Sequence, residues 1–143
     1  MGRHLAGVVG GIDLAYVSPA QRAQQTWDHL SQGLGDVPEV LTDERIYEAW
    51  GQDLVSLVGG LPAEPRTVLI VGHEPAMSEL VLLLADREDM ALRQRVATKY
   101  PTCAAAVLEH VGDWADLRHG SARLATFVTP KELRGGQARA SRA

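Results

Sequence analysis

His73 is the side chain of this sequence most clearly placed to do chemistry. It follows the apolar run Val68 to Val71 and precedes Pro75. Four consecutive aliphatic residues are typical of a strand buried on both faces, and proline suits the first turn of a helix. The spacing therefore predicts that the histidine stands at a strand-to-helix corner, beside unpaired N–H groups and the positive end of a helix dipole. Such a corner favours the binding of an anion such as phosphate.

A second corner of the same kind carries Arg22. The predicted strand Ile12 to Val17 is followed by Ser18 and Pro19, which favour the start of a helix. The carboxyl ends of parallel strands meet at one edge of a sheet, so we expect Arg22 and His73 to lie side by side. A guanidinium binds phosphate oxygens in a bidentate manner, and a histidine adds a hydrogen bond or a titratable charge. The pair predicts an anion pocket; the alternative is a surface arginine and a structural histidine.

The composition predicts one domain and argues against several classes of partner. With 143 residues, of which 45% are hydrophobic, the chain can bury one core. A net charge of -4 with scattered basic residues argues against a nucleic-acid surface, and no apolar run approaches the roughly 20 residues that span a bilayer. We therefore expect a cytoplasmic protein that binds neither nucleic acid nor membranes. Its single cysteine, Cys103, is expected to be a small buried residue.

Strand and helix patterns alternate along the chain. This alternation predicts an α/β fold, a three-layer α/β/α domain with a mostly parallel sheet. The domain is expected to cover residues 1–130, followed by a flexible basic tail over residues 131–143. The predicted helices cover residues 2–9, 48–58, 76–85 and 89–97, together with one that starts at Ser18, and the predicted strands cover residues 12–17, 39–41, 67–71, 103–109 and 123–128.

The two corners also resemble motifs of the histidine phosphatase superfamily, which includes the phosphoglycerate mutases, and specifically its SixA-like phosphohistidine phosphatase branch. The segment Ser18 to Thr26 resembles the SPxxRAxQT motif of that family. The segment Val71 to Pro75 resembles its VGHNP corner, with Glu74 in place of asparagine. Weaker similarities follow in family order, so that the resemblance covers residues 2–130: Ile46 to Ala49, Tyr100 to Ala105 and Phe127 to Pro130.

The resemblance implies a phosphoglycerate mutase-like fold and a hydrolase that works through a phosphohistidine intermediate. In that scheme Arg22 and His73 are catalytic residues that also bind the phosphoryl group, and Ser18 contributes to substrate binding. Glu48 is the candidate general acid by position, followed by Glu44 and Asp53. No metal or other cofactor is implied. The implied partner is a phosphorylated small molecule or a phosphohistidine protein.

The nucleophilic histidine of the family has no good counterpart in this sequence. In the family it belongs to an Arg-His-Gly motif that ends the first strand, upstream of the SPxxR corner. His4 lies too close to Ser18 to leave room for a strand corner and a crossover helix. The literal Arg118-His119-Gly120 follows no buried strand, and we predict that it forms a turn before the last strand.

The sequence therefore predicts a phosphatase domain that lacks the first strand and is weakly active or inactive as it stands. Two explanations stay open. The chain is an N-terminally shortened phosphatase, or it is a non-catalytic domain that binds a phosphorylated ligand or a protein partner. Loss of an interior strand leaves unpaired backbone groups, and these favour association into a homodimer.

Overall fold

Strands and helices alternate along residues 1–135, which are the residues that the structure, a computed structural model, describes. Residues 130–135 are helical, and the rest of the predicted basic tail, residues 136–143, lies outside the described part. The elements, in chain order, are α1 (Gly2–Val9), β1 (Leu14–Val17), α2 (Gln21–Ser31), β2 (Glu39–Thr42), a 3-10 turn (Glu44–Ile46), α3 (Gly51–Gly59), β3 (Val68–Val71), α4 (Ala76–Leu84), α5 (Met90–Thr98), β4 (Ala105–Glu109), a second 3-10 turn (Trp114–Asp116) and β5 (Arg123–Val128).

The predicted α/β class is confirmed, and most predicted elements lie within two residues of the observed ones. The largest differences are at two helix starts, since α2 begins at Gln21 and not at Ser18, and α3 begins at Gly51 and not at Glu48. The side chain of Asp53 accepts a hydrogen bond from the Trp50 N–H at 2.7 Å, which fixes the start of the helix at this point. Gly51 is needed there, since a Cβ atom would stand 2.4 Å from the Cβ of Glu79 on α4.

Three strands form a parallel sheet in the order β2-β1-β3. β1 is the central strand, and all four of its residues are buried. Asp13, just before β1, fixes its register against β3, because its carboxylate accepts the N–H groups of Arg66 and Thr67, each at 2.9 Å. These two N–H bonds lower the pKa of Asp13 from its ordinary value.

Helices cover both faces of this sheet, as the three-layer prediction requires. On one face α1 and α2 pack on β1 through a core that includes Trp27 and Leu30. On the other face α3 and α4 form a core around Leu54 and Leu80. Within residues 1–135, no helix has the length and apolar character needed to cross a bilayer.

β4 and β5 form a separate antiparallel pair that is not hydrogen-bonded to the parallel sheet. Ala105 and Val107 of β4 pack against the α1–α2 core, while Leu108 packs against the α3–α4 core. The pair therefore lies in the same middle layer as the parallel sheet. Between β3 and β4 runs a cavity of about 1190 Å³, here called the β3–β4 groove, whose walls include both strands.

Candidate functional site

A direct hydrogen bond joins the two strand-to-helix corners. The Oγ of Ser18 lies 2.6 Å from the Nε2 of His73, and Ser18 is 0% exposed. The same Oγ also accepts the N–H of Ala20 at 3.3 Å, and the Gln24 side chain donates to the Ser18 carbonyl at 2.9 Å. Ser18 thus lies beneath the histidine ring, where it fixes the position of the ring instead of facing solvent.

Arg22 lies in the first turn of α2, directly after this corner. It is exposed, and within residues 1–135 its guanidinium makes no salt bridge. No side chain caps α2 among the described residues, since its N-cap is Ala20. The N-terminus of α2 therefore combines free N–H groups, the positive end of the helix dipole and an exposed guanidinium, which together favour an anion.

The corner after β3 differs from the sequence-based expectation. Glu74 accepts hydrogen bonds from the backbone N–H and the hydroxyl of Ser78, both at 2.7 Å. The first turn of α4 is therefore already occupied by a carboxylate of its own chain. The expectation that the helix behind His73 offers unpaired N–H groups to an anion was wrong, because a side chain two positions before the helix folds back onto it.

Two aromatic side chains surround His73 and Glu74. The Tyr47 ring meets the His73 ring edge-on, with centroids 6.0 Å apart and an interplanar angle of 84°, and Tyr47 is 58% exposed. Burial raises the pKa of Tyr100 to about 12, and the nearby Glu74 carboxylate adds to this shift. Tyr100 therefore stays neutral at physiological pH. Sequence reasoning missed Tyr47, for which the only signal was the weak similarity of its segment to the family.

The candidate general acids do not gather at this corner. Glu48 is exposed in the turn after the first 3-10 helix, next to Tyr47. Asp53 is used as the cap of α3, and Glu44 is exposed in the 3-10 turn. The described contacts join none of these carboxylates to His73, so a role for Glu48 as the general acid stays a prediction.

The remaining chemical candidates lie elsewhere. His4 lies within α1, in agreement with the helix predicted over residues 2–9. His119 lies in the turn before β5 and its Nε2 is 2.8 Å from the Gln52 Oε1, so the turn predicted for Arg118 to Gly120 is confirmed. Cys103 is exposed and has a φ of 63°, which corrects the prediction of a buried residue. Its Sγ lies 3.7 Å from the Thr26 Oγ1, at the wall of the β3–β4 groove.

Comparisons with known proteins agree with the fold. No family model matches the chain. An uncharacterized protein of Mycobacterium tuberculosis is 35% identical over 136 residues, which cover 88% of this chain and 84% of that protein. An uncharacterized protein of Mycobacterium leprae is 35% identical over 126 residues, which cover 86% of this chain and 74% of that protein.

Several solved structures are similar to this chain in fold. A candidate phosphohistidine phosphatase SixA from Nakamurella multipartitia matches with a TM-score of 0.77 at 25% identity, covering 90% of this chain and 77% of its own. A counterpart from Agrobacterium tumefaciens matches at 0.71 and 22% identity, covering 90% and 75%. The protein histidine phosphatase SixA complexed with tungstate matches at 0.71 and 21%, covering 92% and 78%.

The parallel sheet, the two corners and these matches define a histidine phosphatase-like α/β protein. The chain is similar in fold to the SixA-like proteins of the histidine phosphatase superfamily.

Proposed function

We propose that the two corners form a phosphoryl-binding site of the histidine phosphatase type. The observation that carries the proposal is the hydrogen bond between Ser18 and His73, because it places the histidine ring against the corner that carries Arg22. Arg22 contacts two phosphoryl oxygens, and the uncapped N-terminus of α2 adds backbone N–H groups. With Nε2 bonded to Ser18, Nδ1 is the ring nitrogen left to contact the ligand.

An oxyanion is the ligand that this chemistry favours. Arg22 carries a permanent charge, and its exposed position lets it reach a group attached to a large substrate. The structural neighbour solved with tungstate binds an anion that has the tetrahedral shape of phosphate. A phosphohistidine protein and a phosphorylated small molecule both present such a group, and both stay within the proposal.

Turnover also needs a nucleophile, and we propose that this site lacks one. Among the described residues, His73 is the one histidine that these contacts place at the two corners, and Ser18 already holds its Nε2. In the family reaction a histidine nitrogen bonds to phosphorus as the bond to the leaving group breaks, the leaving group takes a proton, and water then releases phosphate. Residues such as Arg22 stabilise the charge that develops on the phosphoryl oxygens.

We therefore propose that this chain binds phosphoryl groups and hydrolyses them weakly or not at all. A phosphohistidine phosphatase that receives its nucleophile from residues outside those described is the first form of this proposal. The second form is a domain that binds a phosphorylated ligand without catalysis. It is favoured by the combination of phosphoryl-binding groups with no second histidine among the described contacts of this site. A cytoplasmic location and homodimer formation stay predictions.

The test combines binding and turnover in one preparation. The purified chain is mixed with a phosphohistidine peptide, and released phosphate is followed by phosphorus NMR against the spontaneous hydrolysis of the peptide alone. Displacement of tungstate, followed by calorimetry, reports binding. We expect displacement without release above the spontaneous rate. Failure to bind tungstate or the peptide contradicts the site, and rapid turnover that His73→Ala leaves intact contradicts the assignment of the histidine.

A further inference from the structure

Two large aromatic side chains, Tyr47 and Trp50, are exposed to solvent, at 58% and 63% of their surface. The chain has three tryptophans, three tyrosines and one phenylalanine, all of them within the described residues 1–135. The other five aromatic residues are buried or half-buried: Tyr16, Trp27, Tyr100, Trp114 and Phe127. Exposed tyrosine and tryptophan side chains that lie close together are typical of binding surfaces.

The fold does not account for a tryptophan at position 50. Trp50 is the N-cap residue of α3, where Ser, Thr, Asp and Asn are preferred because their side chains accept N–H groups of the helix. An indole has no oxygen that could accept such a bond. The start of the helix is instead fixed by Asp53 and by the close packing of Gly51 against α4. A small polar residue would therefore serve the fold at least as well as this exposed indole.

Both aromatic residues lie at the edge of the sheet that carries the proposed phosphoryl site. They follow β2, and the carboxyl ends of the three parallel strands meet at that edge. The Tyr47 ring contacts the His73 ring edge-on, with centroids 6.0 Å apart. Trp50 is three residues further along, so its backbone is at most about 11 Å from that of Tyr47. The aromatic pair therefore extends outward from His73.

The segment that carries the two rings is negatively charged. The Arg45 guanidinium donates to both carboxylate oxygens of Asp43, at 3.0 and 2.6 Å, so these two charges compensate each other. Asp53 caps α3. Glu44 and Glu48 are exposed, and the described contacts engage neither carboxylate. A guanidinium or ammonium group can lie over an aromatic ring and pair with a carboxylate, so this surface favours a cation.

We propose that Glu44, Tyr47, Glu48 and Trp50, here called the aromatic–acidic patch, bind basic side chains of the polypeptide that carries the phosphoryl group. The inference rests on the proposed phosphoryl site and narrows its ligand to a protein segment. Three extended residues cover about 10 Å, so the arginine or lysine lies within about three residues of the phosphorylated one. A nucleotide or a sugar phosphate brings no cation to the two carboxylates, and its own negative charge is repelled by them.

The test compares three peptides that differ only in the charge next to the phosphoryl group. Their sequence is Gly-Arg-X-Arg-Gly, in which X is phosphoryl-triazolylalanine, a stable analogue of phosphohistidine. Citrulline, which has the shape of arginine without its charge, replaces both arginines in the second peptide, and glutamate replaces them in the third. Calorimetry at low salt should give an affinity about tenfold higher for the arginine peptide than for the citrulline peptide, and the lowest affinity for the glutamate peptide.

Substitutions within the aromatic–acidic patch should lower this ratio of affinities. Trp50→Ala and Glu44→Gln should each reduce the ratio from about ten to about three, and the double variant should bring it near one. The ratio cancels the contribution of the phosphoryl group, which is the same in both peptides. Val37→Ala and Glu39→Gln are the matched controls, because both residues are exposed and lie near the start of β2, at the opposite edge of the sheet. These two controls should keep the ratio near ten.

The tryptophan indoles give a direct readout of the contact by NMR. The arginine peptide should shift the indole N–H of Trp50. The indole N–H groups of buried Trp27 and of Trp114, which donates to the Pro65 carbonyl at 2.7 Å, should stay in place. A shift at either of these two without one at Trp50 overturns the inference.

Tungstate binding separates failure of this inference from failure of the proposed function. If the unchanged chain binds tungstate but has equal affinity for the arginine and citrulline peptides, the inference is wrong and the phosphoryl site stands. The same conclusion follows if Glu39→Gln lowers the ratio as much as Glu44→Gln, because then only the net charge of the chain matters. If neither tungstate nor any of the peptides binds, the phosphoryl site is wrong, and the inference that rests on it is overturned as well.

Discussion

The two strand-to-helix corners have the same architecture and opposite electrostatics. After β1 the chain leaves the N-terminus of α2 without a side-chain cap and places Arg22 in its first turn. After β3 the chain folds Glu74 back onto Ser78 and so neutralises the start of α4. A corner of this kind is therefore not sufficient for an anion site. The residues around the helix start decide whether its N–H groups are free.

The two corners contribute different chemical groups to the proposed site. The corner after β1 supplies positive charge, and the corner after β3 supplies the His73 ring, which Ser18 holds through its Nε2. We therefore expect substitutions at the first corner to lower anion affinity most. Substitutions at the contact between the corners should lower it less, and removal of the Glu74 charge should raise it.

The largest effect is expected for Arg22→Ala. A hydrogen bond to a charged group contributes about 1.5–3 kcal/mol, so tungstate affinity measured by calorimetry should fall about 10–150-fold. Arg66→Ala is the matched control, because this arginine lines the other end of the same groove. Equal losses of tungstate affinity in the two variants would show that only the overall charge matters, and they would contradict a direct contact between Arg22 and the anion.

An intermediate effect is expected for Ser18→Ala. The variant loses the bond to His73 Nε2, which corresponds to about 0.5–1.5 kcal/mol and a loss of affinity of about 2–13-fold. The ring nitrogen shifts of His73, measured by NMR, should change as well, because Nε2 loses the serine hydroxyl as its hydrogen-bond partner. Unchanged nitrogen shifts argue that Ser18 only fills space beneath the ring.

A smaller effect of opposite sign is expected for Glu74→Gln. Glutamine keeps an oxygen that can accept the Ser78 N–H but removes the negative charge, so tungstate affinity should rise about two- to fivefold at low salt. The gain should disappear in about 1 M salt, where the screening length is only about 3 Å. Glu64→Gln, an exposed substitution near the start of β3, should show no gain. A loss of affinity on removing the Glu74 charge contradicts the contrast between the corners.

The smallest effect on binding, and the clearest on stability, is expected for Asp13→Asn. The N–H groups of Thr67 and Arg66 hold the pKa of Asp13 below its ordinary value of 3.8. The contribution of the Asp13 carboxylate to the stability of the fold is therefore present above that pH and is lost as the pH falls through the lowered pKa. Thermal unfolding should show a lower midpoint for the variant at neutral pH, with the difference shrinking in acid and tungstate affinity unchanged. If the difference in unfolding midpoint between the two proteins does not depend on pH, the charge of the carboxylate is not its cause.

Local features of the fold could be predicted from the sequence. Apolar runs located β3 and β5, and the motifs after two strands located Arg22 and His73, because each signal lies within a few neighbouring residues. The bond between Ser18 and His73 joins positions 55 residues apart, so no local pattern reveals it. The Glu74 cap depends on which way one side chain turns, for which the sequence holds no signal.

Features between elements were also beyond sequence reasoning. The alternation of strands predicted one mostly parallel sheet, whereas the structure has a parallel sheet and an antiparallel pair with the β3–β4 groove between them. Tyr47, at the end of the first 3-10 turn, meets the His73 ring, and these two residues lie far apart in the sequence. Both depend on packing across the whole domain.

The most direct test of the contrast between the corners is a titration of the isotope-labelled chain with sodium tungstate, followed amide by amide in NMR. We predict saturable shifts at Gln21, Arg22 and Ala23, at the uncapped start of α2, together with the His73 ring. The amides of Met77 and Ser78, at the start of α4, should move little because Glu74 already occupies that helix end. Shifts centred on Met77 and Ser78, or no saturable shift at α2, would contradict the account.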